Sequence, residues 1–192
     1  ETEAGDYDVY LPMNEALRPG AGAQNYNTSI SQDISGNFHE GSFKGAARPL
    51  FSDDYLQCEE RCDLKEDRYS GKAVYFPPSS YIEVQNQSST GHSLLGGSSM
   101  TVSFALKLLR DPQVYHELVN KDGVFNVVLE ANGQVQFTAR LNNQEKRSGY
   151  IGPELPINKW VHLTFTYDHS SGLLSYFING GLYDRIQLGS GP

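Results

Sequence analysis

Apolar and polar residues alternate with a period of two over much of the chain, most clearly from 160 to 178. This pattern is typical of a β-strand that buries one face. Residues 168–172 have turn composition and separate two such runs. Asn179-Gly180 then favours a hairpin, because both residues tolerate positive φ. The region predicts an antiparallel β-meander whose buried positions include Val161, Leu163, Phe165, Tyr167, Leu174, Tyr176 and Ile178.

Shorter runs of the same kind recur along the chain, with Gly, Pro, Asn and Ser between them. Further strands are predicted at 7–11, 73–76, 81–85, 100–109, 124–129, 135–141 and 182–188. Loops are expected at 14–31, 87–99 and 142–152, which are polar or rich in small residues. No helix longer than a turn or two is indicated. The fold class is therefore all-β, with two antiparallel sheets in a sandwich or jelly roll.

Length and charge limit the classes of partner. A chain of 192 residues suits one domain over 1–192, with a frayed N-terminus at 1–6. The net charge is −8 and no basic run occurs, so neither nucleic acid nor an anionic membrane surface is an expected partner. No apolar run approaches the roughly 18 residues of a membrane span, so membrane insertion is not expected. The first residue is Glu1 rather than Met, as in a processed or trimmed N-terminus.

Two cysteines and two glycosylation sequons bear on the compartment. Cys58 and Cys62 lie in a charged loop insertion at 52–68 and suggest a local disulfide, with two free thiols as the alternative. A zinc site would need further ligands, and no Cys or His motif supplies them. Sequons begin at Asn27 and Asn86, in polar segments that would accommodate a glycan. Together these features favour an extracellular protein, either secreted or the ectodomain of a larger one.

Four segments, in their order along the chain, resemble those of laminin-G-like domains in the concanavalin-A-like superfamily, which includes pentraxins and legume lectins. They are D-I-S-G-N at 33–37, G-K-A-V-Y-F with S-S-Y-I-E-V at 71–84, M-T-V-S-F at 100–104, and W-V-H-L-T-F-T-Y-D with Y-F-I-N-G at 160–180. The resemblance covers roughly residues 7–188 and implies a jelly roll of two antiparallel sheets. It does not by itself define a function.

The resemblance also implies a metal and a class of ligand. Relatives often hold calcium on the rim of the sandwich and bind glycans or proteins there. Asp33 matches the acidic residue of the D-x-S-G-N turn, and Asn37 closes that turn, so both are candidate calcium ligands. The alternative for both residues is a plain capped turn.

Two departures from the family pattern are visible. The F-D-G corner of relatives is Phe76-Pro77-Pro78 here. The final family strand, D-E-V-R-V-Y-N, has no counterpart before the chain stops at Pro192. Either the sequence is truncated before that strand, or the strand comes from another chain. A jelly roll without it would have an open sheet edge, which a strand from a partner chain would complete.

Catalytic motifs are not evident in the sequence. Glycoside hydrolysis normally needs two carboxylates facing one cleft, whereas Glu83 and Glu130 are isolated acids on predicted strands. His162 falls on the polar face of its predicted strand. Nucleophile-elbow, zincin, Walker and dinucleotide-binding motifs are lacking. We therefore do not expect an enzyme.

The prediction is a non-catalytic extracellular recognition or adhesion module that binds glycan or glycoprotein ligands, with possible assistance from calcium. The first alternative is a structural domain that binds protein partners in a larger extracellular assembly through the open sheet edge. The second is a degenerate glycosidase-like fold with residual activity.

Overall fold

The computed structural model describes residues 11, 30–31, 35, 39–47, 49–52, 73–85, 99–141 and 144–189. Every strand pair in this part of the chain is antiparallel, and no helix occurs in it. The predicted all-β class of antiparallel sheets is confirmed. The chain divides into two compact units, 1–94 and 95–192, and one domain over 1–192 stays a prediction.

The first unit contributes a three-stranded and a two-stranded sheet. The three-stranded sheet has the order β1-β2-β5, and β3 pairs with β4. In the β2–β5 pair Phe43 is buried, whereas Lys44 and Glu83 form a half-exposed ion pair at 3.5 Å on the other face. The strands are β1 (Ile30–Ser31), β2 (Gly41–Gly45), β3 (Leu50–Ser52), β4 (Ala73–Tyr75) and β5 (Ser80–Val84).

The second unit is a sandwich of two four-stranded sheets. Their orders are β10-β9-β8-β7 and β13-β12-β11-β6, so the chain leaves the second sheet after β6 and returns to it at β11. The strands are β6 (Met100–Lys107), β7 (His116–Lys121), β8 (Phe125–Leu129), β9 (Val135–Leu141), β10 (Gln144–Ile151), β11 (Trp160–Asp168), β12 (Leu173–Ile178) and β13 (Gly181–Gln187).

The core lies between these two sheets. Phe137 of β9 stacks on Phe165 of β11 with ring centroids 6.0 Å apart, and Phe165 stacks on Tyr176 of β12 at 4.7 Å. Offset stacking of this kind adds about 0.5–1.5 kcal/mol to the burial of each pair. All seven core positions predicted from 160 to 178 face this core; six are fully buried and Ile178 is partly buried.

The predicted Asn179-Gly180 hairpin is confirmed and joins β12 to β13. Both residues have positive φ, 50° and 78°. Asn179 is held further by its backbone N–H, which donates to the His162 carbonyl at 2.8 Å. The turn therefore meets the conformational need that makes Asn-Gly a hairpin signal.

Some boundaries were wrong. The predicted loop at 142–152 contains strand β10, which pairs with β9 through a bulge between Arg147 and Tyr150. Gly149 in the bulge has φ +74°, and the Ser148 hydroxyl accepts the Phe137 N–H that the backbone leaves free. β6 ends at Lys107, two residues earlier than predicted. Strands β1, β2, β3 and β7 were not predicted, and β1 lies at the end of the loop expected at 14–31.

Several predicted residues lie outside the described part of the chain. They are the calcium candidates Asp33 and Asn37, the cysteines Cys58 and Cys62, and the sequon asparagines Asn27 and Asn86. The same holds for the strand predicted at 7–11 apart from Leu11, and for most of the 52–68 insertion.

Across the described ranges, no helix is long and apolar enough to cross a membrane.

Candidate functional site

The outward face of the β13-β12-β11-β6 sheet carries rows of short hydroxyl side chains. Thr166 of β11 is the register partner of Thr101 on β6 and of Ser175 on β12. Direct partners in an antiparallel pair share one face, with Cβ atoms about 4.5–5.5 Å apart. Because Phe165 and Tyr167 point into the core, Thr166 and its two partners point away from it. Thr101 is exposed and Thr166 is half-buried, whereas Ser175 is buried.

This row borders a groove of about 430 Å³. The volume lies within the range of about 300–1,000 Å³ that is usual for sites that bind small ligands, but the groove is shallow and open to solvent. The next outward positions on β6 and β11, Ser103 and Thr164, also carry small side chains. The lining residues are Ser99, Met100, Thr101, Thr166, Tyr167, Asp168, Leu173 and Ser175.

Asp168 ends β11 and organises the turn beside the groove. Its Oδ1 accepts the backbone N–H of Ser170 at 2.9 Å and the Ser170 hydroxyl at 2.8 Å. Its Oδ2 accepts the Ser171 hydroxyl at 2.8 Å. Ser99 approaches Oδ1 at 3.5 Å and accepts the His169 N–H at 3.1 Å, which ties the turn to the start of β6.

These hydrogen bonds hold Asp168 ionised. The Ser170 hydroxyl, then the Ser171 hydroxyl and the Ser170 backbone N–H, lower the pKa of this carboxyl to about 2. A carboxylate oxygen has two lone-pair directions, and Oδ2 is the less occupied of the two oxygens. Asp168 therefore presents a permanent acceptor to a hydroxyl group in the groove.

The C-terminal end of β13 clamps the same turn. The Gln187 side-chain amide donates to the Ser171 carbonyl at 2.6 Å, and the Leu188 N–H donates to the Gly172 carbonyl at 3.0 Å. The Tyr167 hydroxyl donates to the Gly189 carbonyl at 2.9 Å. Burial, with the nearby Asp168 charge, raises the pKa of Tyr167, so this hydroxyl remains a donor.

A second polar row runs beside the groove. The Ser103 hydroxyl lies 3.0 Å from His162 Nε2 and 2.8 Å from the Thr164 hydroxyl. The His162 backbone N–H donates to Asn179 Oδ1 at 2.9 Å. A nucleophile–base pair also needs a group that orients the imidazole, and no carboxylate bonded to His162 is found in the described ranges. We interpret this row as cross-strand bonding, and the predicted polar position of His162 is confirmed.

The isolated acids of the sequence do not meet at this groove. Glu83 pairs with Lys44 in the first unit, and Glu130 follows the end of β8. Within the described residues, no group of three or more His, Cys, Asp or Glu side chains is arranged to hold a metal. The calcium candidates fall outside those residues, so calcium binding stays a prediction.

Sequence reasoning missed the groove residues. Ser, Thr and Asp at strand ends carry no distinctive signal, and only strand register brings Thr101 beside Thr166 and Ser175. Among the described residues, the exposed aromatic side chains are those of Tyr75, Phe76, Tyr81, Tyr115 and Tyr183, and none of them lines the groove.

Solved structures that resemble this chain include an arabinanase domain, a candidate carbohydrate-binding protein and a pentraxin. Domain 4 of AbnA, an extracellular arabinanase of Geobacillus stearothermophilus solved with arabinotriose, is 19% identical with a TM-score of 0.52, over 83% of this chain and 73% of that domain. A candidate carbohydrate-binding protein of Bacteroides ovatus is 19% identical with a TM-score of 0.39 over 48% of this chain. The heptameric SAP-like pentraxin of Limulus polyphemus is 16% identical with a TM-score of 0.36 over 49%.

This chain spans 26% of the Bacteroides chain and 46% of the pentraxin chain. No curated protein matches the sequence. A sequence profile of the laminin G type, described as the concanavalin A-like lectin/glucanases superfamily, matches residues 79–192. The chain therefore belongs to the concanavalin A-like lectin/glucanases superfamily, as a laminin-G-like member.

Proposed function

We propose that this protein is a non-catalytic recognition module that binds an oligosaccharide in the groove on the outward face of the β13-β12-β11-β6 sheet. The observation that carries the proposal is the row of the exposed Thr101 and the half-buried Thr166, with the buried Ser175 next to them, beside the ionised Asp168. Sugars present many hydroxyl groups, each a donor and an acceptor. A surface of neutral hydroxyls with one strong acceptor complements them.

The chemistry of Asp168 supports binding rather than hydrolysis. A glycosidase needs a protonated carboxylic acid to donate to the leaving oxygen, and a second carboxylate across the cleft. With a pKa of about 2, Asp168 is deprotonated at neutral pH. It is also the one carboxylate among the groove residues that the structure describes. The superfamily contains glucanases as well as lectins, so the alternative hypothesis is that this chain hydrolyses glycans.

The first ligands to test are short oligosaccharides. The AbnA domain shares the fold and was solved with arabinotriose. We extend oligosaccharide binding to this chain as a proposal, since the identity between the two is low. An extracellular location and calcium assistance through Asp33 and Asn37 belong to the same proposal, because the cysteines, the sequons and the D-I-S-G-N turn favour them.

A glycan array followed by calorimetric titration tests the proposal. Thr101 is exposed and lines the groove, so Thr101→Tyr places an aromatic ring there. Aromatic residues are favoured in β-strands, so the substitution suits β6. Ala105→Tyr is the matched control, because it is exposed on the same face of β6, about 13 Å farther along. We expect the first variant to lose binding and the second to retain it. If both variants bind the ligand equally, the ligand binds elsewhere and the groove is not the binding site.

A structural role, with a partner strand added to a sheet edge, is the second proposal. Within the described residues β13 pairs only with β12, and Leu182 and Tyr183 are about half exposed. The charges of Asp184 and Arg185 and the bulge opposite Tyr176 and Phe177 oppose such pairing, since proteins protect edges with these features. Light scattering distinguishes the two proposals. A dimer lost on Tyr183→Pro, which cannot donate a hydrogen bond, would favour strand addition.

A further inference from the structure

Arg185 of β13 extends the hydroxyl row beyond the groove. It is the register partner of Ser175, which lines the groove, so both side chains lie on the outward face with Cβ atoms about 4.5–5.5 Å apart. Arg185 is exposed. Four strands thus contribute one row, in the order Thr101, Thr166, Ser175, Arg185.

None of the described residues neutralises the charge of Arg185. Its neighbour Asp184 is the register partner of the core residue Tyr176, so the Asp184 side chain lies on the other face of β13. Asp184 Oδ1 accepts the backbone N–H of Arg185 at 2.7 Å. In contrast, Arg147 pairs with Glu145 and Lys44 pairs with Glu83. No described residue forms a salt bridge with the Arg185 guanidinium.

Gln187 lies on the same face of β13 as Arg185, nearer to the turn. Its side-chain amide donates to the Ser171 carbonyl, so it is bonded to the turn. Asp168 therefore places a negative charge in the groove, and Arg185 places a positive charge just beyond the residues that line it. The two residues lie on strands two positions apart, a lateral separation of about 9–10 Å, and are offset by two residues, about 7 Å, along the strands.

From this arrangement we propose that the groove selects oligosaccharides that carry a carboxylate, such as those of uronic acids, and that Arg185 is the residue that determines this specificity. The inference rests on the proposed glycan-binding function of the same groove. Sugar hydroxyls bond to the hydroxyl row and donate to Asp168. The sugar carboxylate accepts two parallel N–H bonds from the planar guanidinium, a geometry that fits carboxylate closely. The position of the carboxylate at Arg185 also keeps it away from the like charge of Asp168.

The test uses an array of uronic-acid oligosaccharides, each beside its carboxyl-reduced counterpart, which keeps the hydroxyls and loses the charge. Sulfated oligosaccharides that lack carboxylates are included. The best pair is then titrated against the unaltered chain and the variants Arg185→Gln and Arg185→Lys. Arg140→Gln is the matched control, because Arg140 is exposed on the outward face of the other sheet and its loss changes the net charge equally.

We expect the unaltered chain to bind the uronic-acid ligand at least tenfold more tightly than its reduced counterpart, which is the usual size of one charge-assisted hydrogen bond. Arg185→Gln should remove that difference without weakening binding of the reduced ligand. Arg185→Lys should restore part of it, because lysine keeps the charge without the bidentate geometry. Arg140→Gln should bind as the unaltered chain does.

The outcomes separate this inference from the function on which it rests. Equal binding of both members of every pair would overturn the role of Arg185 and leave glycan binding intact. The same conclusion follows if only sulfated ligands bind, or if Arg140→Gln acts like Arg185→Gln. If no ligand on the array binds, both the inference and the proposed function fail.

Discussion

Gly152 lies against the ring of Tyr176. A Cβ built at residue 152 would come within 2.8 Å of Tyr176 Cε1, closer than such atoms approach in folded proteins. Gly152 also has φ +81°, a conformation that residues with a side chain rarely adopt. Both facts restrict this position, which follows β10, to glycine.

The substitution Gly152→Ala should therefore destabilise the protein by about 2–4 kcal/mol, because it combines overpacking with backbone strain. Gly149→Ala separates the two effects. Gly149 has a similar φ of +74° but nothing within 4 Å of its built Cβ, so strain alone should cost about 1 kcal/mol. Denaturant unfolding measures both free energies. Equal losses for the two variants would contradict the contact with Tyr176.

Removal of the hydroxyl group should affect the stability of the protein differently at two buried tyrosines of the sandwich, Tyr176 and Tyr167. The Tyr176 hydroxyl is buried and has no hydrogen-bond partner among the described residues, whereas that of Tyr167 donates to the Gly189 carbonyl. Tyr176→Phe should leave the stability unchanged or raise it by up to about 1 kcal/mol. Tyr167→Phe should lower it by about 1 kcal/mol. A loss of stability in Tyr176→Phe would reveal a partner for its hydroxyl.

The turn at Asp168 should make the stability sensitive to acid. The folded-state pKa of Asp168 is about 2, below the ordinary value of 3.8, so its ionised form contributes stability above pH 4. That contribution is lost as the pH falls from about 4 toward 2. Thermal melts of the unaltered chain and Asp168→Asn should differ at pH 6 and converge near pH 2. Asp122→Asn, in the exposed β7–β8 turn, is the control. If the melting temperatures still differ at pH 2, the effect of Asp168→Asn comes from a change in side-chain geometry and not from the loss of the carboxylate charge.

Calcium should raise the melting temperature if Asp33 and Asn37 belong to a rim site. A ligand that binds only the folded state stabilises it by an amount set by its concentration relative to its dissociation constant. We expect a rise with millimolar calcium after chelation, no rise with magnesium, and its loss in Asp33→Asn. No calcium-specific rise would end the calcium hypothesis. The glycan proposal for the groove would stand, since no groove residue takes part in that site.

The strands that bury one face were predictable from local pattern alone. Val161, Leu163, Phe165 and Tyr167 repeat with a period of two, and they face the core between the two sheets. Strand β10 was not predicted because it lacks this alternation. Its residues from Gln144 to Arg147 are polar on both faces, because within the described residues it pairs only with β9 at the edge of its sheet. Its position depends on backbone hydrogen bonds to β9, which leave no mark in side-chain polarity.

By itself the sequence determined the all-β class, the meander from 160 to 188 and the Asn179-Gly180 turn, because each follows from residues that are neighbours along the chain. Only the tertiary structure decided the groove. Thr101, Thr166, Ser175 and Arg185 come from four strands, and strand register places them in one row. Register follows from the packing of the core on the opposite face, since a shift of one residue would turn Phe165 outward and Thr166 inward. Non-local packing therefore created the site from residues that are unremarkable in sequence.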